Sequence, residues 1–351
     1  MNKNTKPLLF ALISSFALIS VAGSAQEVKP VDGTNKIAAA IDNSAATNKP
    51  AAPAILPGKG LSQHNFFYAG EAKTRDMYIV RGGKIVWAYN DSTGKGEISD
   101  AMLLSNGNVL FAHQFGVTLI SPDKKVLWNY DAPPKCEIHT AQMIGTNHVI
   151  FLQNGLEPKL FVANLATGQM EKEMPMTVGN PKNTHPQFRH ARLTDAGTYL
   201  VTHMDMRRVV EYDEAGKAVW AVTNIPGAWA AERLKNGNTL VSGGKSVREI
   251  NPDGQTVWEF NTTNAPEYNF KDIQIATRLP NGNTLINDWV NQWSGAIDTN
   301  TAPAQAIEVT PEKMVVWALR SWTNPALGPS TTIQLLDEPS VPENVHFGEI
   351  K

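Results

Sequence analysis

The stretch from Ala231 to Phe260 constrains the fold more than any other part of the chain. It holds four short apolar runs separated by Asn236-Gly237-Asn238, Gly243-Gly244 and Pro252-Asp253-Gly254. Asn-Gly suits a two-residue hairpin turn in which both central residues take positive φ. Pro-Asp-Gly presets one turn residue and leaves the left-handed position to glycine. Four antiparallel strands in about thirty residues make one propeller blade, and such a sheet cannot bury both faces alone. The rest of the chain must therefore supply copies.

The copies are present. A complete one runs from Ala101 through Ser105-Asn106-Gly107-Asn108 to Val126-Leu127-Trp128, and a third follows from Thr140. The fourth spans His190 to Trp220, the fifth is the stretch above, and the sixth opens at Ala276, repeats Leu279-Pro280-Asn281-Gly282-Asn283 and ends at Trp317 after an insertion from Val290 to Ala304. Phe66-Phe67-Tyr68, Met77 to Val80 and Lys84 to Tyr89 give three strands with no first strand, whereas Thr331 to Leu336 gives a first strand with no others. The two ends should meet in one composite blade, which removes the free edges of a linear array. The expected fold class is all-β: a single β-propeller of six four-stranded blades, with seven as the alternative. Trp87, Trp128, Trp220, Trp258 and Trp317 fall on the last strand of their copies, where a flat ring packs against the next blade.

Residues 1–25 read as a bacterial-type signal peptide, with Lys3 and Lys6 before the apolar run Leu8 to Val21 and a small-residue cleavage site at Gly23-Ser24-Ala25. A periplasmic or secreted location follows, with no membrane span in the mature chain. Residues 26–60, rich in Ala, Asn, Pro and Thr, read as a flexible linker. The propeller domain occupies 61–351.

The pattern Leu-x-Asn-Gly-Asn-x-Leu followed by Asp-Gly-x-x-Val-Trp resembles the tryptophan-bearing repeats of the quinoprotein-like (PQQ-like) propeller superfamily. Leu279 to Asn283 is also similar to the propeller of bacterial arylsulfotransferases. The resemblance covers the chain from about residue 61 and implies the fold. Quinone-using members carry an adjacent cysteine pair, and this chain has only Cys136, so bound PQQ is not expected.

A net charge of −2 with no basic run leaves nucleic-acid binding without support. The single cysteine excludes an intramolecular disulfide and any site built on several cysteines. There is no Gly-x-Ser-x-Gly elbow and no His-Glu-x-x-His motif.

Polar residues can still be sorted by their place in the repeat. The start of the innermost strand and the end of the second strand open on one face of a propeller, the usual ligand face. His113, His139, His185, His190 and His203 all map there. His113, His139, His190 and His203 are the candidate acids, bases or nucleophiles. With Asp288, the set His113, His139 and His203 is the candidate for a divalent cation, and no other cofactor is expected. Arg189, Arg207 and Lys245 suit an anionic group, and Trp229, Trp289 and Trp293 offer flat surface for a sugar ring or an aromatic ligand.

The leading functional expectation is recognition of a ligand or partner on the channel face, with a small molecule, a carbohydrate and a protein as the candidates, by a monomeric exported propeller. The competing classes are an enzyme (a polysaccharide lyase or hydrolase, or a sulfuryl-transfer enzyme) and a protein-docking scaffold. A working histidine cluster would bring at least three of the four histidines together.

Overall fold

The computed structural model describes residues 31–32, 55–71, 73–91, 96–291, 296–299 and 301–337. The expected signal peptide, most of the linker, and Trp293 lie outside the described residues.

Among the described residues twenty-four strands form six four-stranded antiparallel sheets arranged in a ring, a six-bladed β-propeller. The first blade is the composite one: Ser330–Leu335 pairs antiparallel with Phe66–Gly70, Phe66 opposite Leu335, and Asp76–Arg81 and Lys84–Asn90 follow outward. The second to sixth blades begin with the innermost strands Asp100–Leu103, Glu137–Ile144, Phe188–Leu193, Ala228–Arg233 and Asp272–Arg278. Outside the fourth blade, Val31–Asp32 pairs in parallel with Val222 and Thr223.

The Asn-Gly-Asn turns differ from the expected two-residue hairpin. Among the residues of these turns only the glycines, Gly107, Gly237 and Gly282, take positive φ. Gly237 N donates to Leu234 O at 2.9 Å and Leu234 N to Asn238 O at 2.8 Å, and both bonds recur in the second and sixth blades. The turn is therefore longer, with one left-handed residue reserved for glycine. The flanking asparagines do more than turn the chain. Asn236 and Asn238 both donate to Glu249 Oε1 on the third strand, at 3.1 and 2.6 Å, and Asn281 and Asn283 repeat this on Glu308.

Each sheet buries both faces against its neighbours. Among the described residues six apolar clusters occupy the six interfaces, as closure of a six-membered ring requires. The composite blade contributes Phe66 and Tyr68 toward the sixth blade and Phe67 and Met77 toward the second. The last-strand tryptophans join blades as expected and also bond across them. Trp87, Trp220 and Trp258 donate from Nε1 to Pro122 O, Pro252 O and Pro311 O of the next blade's outer turn, at 2.9, 3.0 and 2.7 Å. Trp317, fully buried, donates to Gly60 O at 2.8 Å. In the third blade that turn has no proline, and Trp128 packs on Phe151.

Candidate functional site

The innermost strands carry the site because their regular pairing is interrupted at one level. In the fourth blade Phe188 pairs with His203 and His190 with Thr202, which leaves Arg189 as the extra residue of a β-bulge. In the fifth, Ala228 pairs with Gly243 and Ala230 with Ser242, leaving Trp229. In the composite blade the residue passed over is Thr331, and register shifts fall at His139 and Thr140 in the third blade and at Gln274 and Ile275 in the sixth. Ser99, immediately before the paired Asp100, takes the place in the second blade. A bulge re-aims the side chain it carries. Here the bulged residues meet across the channel.

Ser99 Oγ lies 2.9 Å from His139 Nδ1, and Arg189 Nη1 lies 2.8 Å from the same nitrogen. The Arg189 guanidinium carbon sits 4.7 Å from the centroid of the Trp229 ring. On the other side Thr331 Oγ1 is 3.1 Å from Ser99 O and 3.2 Å from Gln274 Oε1. Trp229 and Gln274 line one pocket, which completes the circuit.

Three carboxylates not singled out in the sequence stand on this ring. Glu97 Oε1 accepts from Arg189 at 3.1 Å and from Ser99 Oγ at 3.1 Å. Burial would raise its pKa, but the hydrogen bond with His139 and the positive Arg189 hold it well below the carboxylate range. Glu71, fully buried, accepts from Gln274 Nε2 at 2.7 Å. Burial and then the neighbouring Glu97 push its pKa far up. Glu137 Oε2 bonds both His139 Nε2 at 2.9 Å and His185 Nδ1 at 2.7 Å. Burial again opposes ionisation, and the two imidazole bonds outweigh it and pull the pKa well down. Ionisation is thus opposed at Glu71 and favoured at Glu97 and Glu137, which flank His139.

Beside the ring lies a pocket of about 200 Å³ lined by Met204, Gly227, Trp229, Gly244, Asp272, Ile273, Gln274 and Trp289. It exists where two backbones run close: a Cβ on Gly243 would meet Gly227 O at 2.3 Å. Trp229 Nε1 is buried there without a hydrogen-bond partner, and so is Arg189 Nε behind it. Burial raises the pKa of Asp272, which Lys245 partly offsets.

The other histidines go elsewhere. His190 lines a separate cavity of about 280 Å³ further down the channel with Asp100, Gln142, Arg192 and Glu232. Burial, then the Arg192 charge, lowers its pKa to about 3. His203 packs edge-on against Phe188, ring centroids 4.7 Å apart, and bonds Tyr212 Oη at 2.9 Å. Its burial holds its pKa well down. His113 bonds Thr118 Oγ1 at 3.1 Å beside Phe111. Of the four histidines only His139 is on the ring, and it is joined there by His185. The candidate metal set of His113, His139, His203 and Asp288 is therefore not assembled. Asp288 Oδ1 instead accepts the amides of Lys271 and Asp272, at 2.7 and 2.9 Å.

Arg189, Trp229 and Trp289 lie together at the mouth. Arg207 and Lys245 are exposed on loops, Arg207 at positive φ with its amide bonded to Met204 O. Cys136 is half-buried and lines an outer groove with Tyr130 and Phe161. One signal for the missed acids was present: Glu137 and His139 are two apart on a strand, hence on one face. Glu71 directly follows the second strand of the composite blade, and Glu97 stands two residues before Ser99 as Glu137 does before His139.

No protein-family model matches the chain, and no curated protein matches it. Solved structures do. A protein of unknown function from Bacteroides caccae aligns with a TM-score of 0.67 at 23% identity, over 78% of this chain and 100% of that one. A catalytically inactive virginiamycin B lyase from Staphylococcus aureus, solved with quinupristin, aligns with a TM-score of 0.50 at 12% identity, over 76% of this chain and 88% of its own. At these identities the likeness shows the propeller fold alone. No helix among the described residues is long and apolar enough to cross a membrane.

Proposed function

We propose that this chain is an exported propeller that binds a carbohydrate in the pocket between Trp229 and Trp289. The observation that carries the reading is the lining itself: two indoles, one carboxyl and an unbonded indole N–H around about 200 Å³. The C–H face of a sugar ring packs on an indole, and its hydroxyls need both a donor and an acceptor. Trp229 Nε1 supplies the first and Asp272 the second. The volume suits a single ring rather than a chain. Arg189, stacked beneath Trp229 with its own side chain held by Glu97, fixes the platform.

Export rests on the basic start and apolar run of residues 1–25. The Leu-x-Asn-Gly-Asn-x-Leu repeat supports descent from the quinoprotein-like propellers, without their quinone. A thermal-shift screen of the purified chain against neutral and acidic mono- and disaccharides tests the reading. A saturable rise in melting temperature that is absent in Trp229→Ala is expected. Failure of every sugar to shift the wild-type protein would remove it.

A further inference from the structure

We infer that Glu137, His139 and His185 form a binding site for a divalent transition cation, with Zn²⁺ the best chemical match. The site is distinct from the sugar pocket, and the inference does not depend on the carbohydrate reading.

The argument begins with convergence. Both ring nitrogens, His139 Nε2 and His185 Nδ1, point at one carboxylate oxygen, Glu137 Oε2, at 2.9 and 2.7 Å. The rings meet edge-on, centroids 5.0 Å apart, and Glu97 also offers a carboxylate oxygen within 4.8 Å of a nitrogen on each histidine. Tetrahedral ligand atoms around a zinc ion at bond lengths of about 2.0–2.2 Å stand roughly 3.3–3.6 Å apart, so the Glu137 oxygen has to draw back from the two imidazoles by about half an ångström to admit the ion. Two imidazoles and a carboxylate are the borderline nitrogen and oxygen donors that such ions take, in contrast to the all-oxygen sets of Ca²⁺ and Mg²⁺.

The surroundings match a metal ligand's needs. A histidine that binds metal through one nitrogen must donate a hydrogen bond from the other, which fixes its tautomer and orientation. For His139 with Nε2 on the metal, Nδ1–H has Glu97 Oε1 at 3.3 Å and Ser99 Oγ at 2.9 Å. In the structure Arg189 Nη1 donates to Nδ1 at 2.8 Å, so metal binding through Nε2 requires this guanidinium N–H to turn from Nδ1 to Glu97 Oε1, 3.1 Å away. The charges agree as well. With neutral histidines, the form that binds metal, Glu97 and Glu137 face the single positive charge of Arg189, so a dication enters a negative site. His139 is 1% exposed and Glu137 17%, whereas His185 is 47% exposed and lies in the connection before Phe188. That exposure gives the ion an entry path. Three protein ligands leave the fourth position of a tetrahedral ion open.

Calorimetric titration of chelator-treated full chain with ZnCl₂ tests the site. One ion per chain is expected to bind. His185→Ala and Glu137→Gln should each weaken binding by about 10-fold or more, the scale seen when a metal's immediate environment is altered. His185 is on an exposed connection, so its variant should keep the wild-type circular dichroism and melting curve. His148→Ala, which removes a histidine paired only with Glu171 on the outside of the third blade, should leave zinc affinity unchanged. No saturable binding by the wild-type protein, or binding by both site variants with wild-type affinity, would overturn the inference.

Discussion

The guanidinium of Arg189 lies over the indole of Trp229, 4.7 Å from its centroid, and each is the extra residue of a β-bulge in its own blade. Neighbouring blades thus place a cation on an aromatic face in the middle of the ring. The same guanidinium is bonded to Glu97, which the connection before the second blade brings across the channel.

Arg189→Ala should destabilise the fold strongly. Arg189 is 4% exposed, and its removal leaves the buried Glu97 without its cation. A loss of about 3–5 kcal/mol is expected from urea denaturation. Arg189→Lys should cost less, since the charge remains and the stacked plane is lost.

The tryptophan bonds between blades give a graded test. Trp258→Phe keeps most of the packing and removes the 2.7 Å bond to Pro311 O, and about 1 kcal/mol should be lost. Trp128→Phe, where the ring packs on Phe151 and the next blade has no corresponding proline, should cost less in the same denaturation assay.

Acid should weaken the protein through His190. Its folded pKa is lowered to about 3 from an ordinary value of 6.5, because burial and the Arg192 charge oppose protonation. The unfolded chain then binds a proton between these values and the folded chain does not. The stabilisation is present above pH 6.5 and is lost as pH falls toward 3. His190→Gln should flatten the stability profile over that window, by on the order of a few kcal/mol, and leave it unchanged between pH 7 and 9. Denaturation midpoints at a series of pH values measure the difference.

Closure depends on the last strand. Ser330–Leu335 supplies the innermost strand of the composite blade, with Ile333 and Leu335 buried against Phe66 and Leu285. A chain ending at Gly328 exposes a strand edge and two blade faces. It should lose the cooperative melting transition and aggregate on size exclusion.

The architecture was legible because its signals repeat: Asn-Gly-Asn turns stand in three blades and last-strand tryptophans in five, and the orphan strands at the two ends were complementary. The site was legible only in part. His139, Arg189, Trp229 and Trp289 were found from their place in the repeat, yet His190 and His203 occupy equally promising positions and face other surroundings. A one-residue bulge reverses which face a side chain takes, and strand spacing does not record it. Glu71 directly follows the second strand of the composite blade and Glu97 stands two residues before Ser99, just outside the positions compared across the repeat. Glu137 was within reach through its spacing from His139.

The most direct test of the ligand pocket is calorimetric titration of the sugar that gives the largest thermal shift, run on wild type, Trp229→Ala and Asp272→Asn. One site per chain is expected for the wild type, with affinity at least about 10-fold weaker in each variant, the scale of a lost stacking surface or a lost buried hydrogen bond. Equal affinity in all three proteins would contradict binding between Trp229 and Trp289.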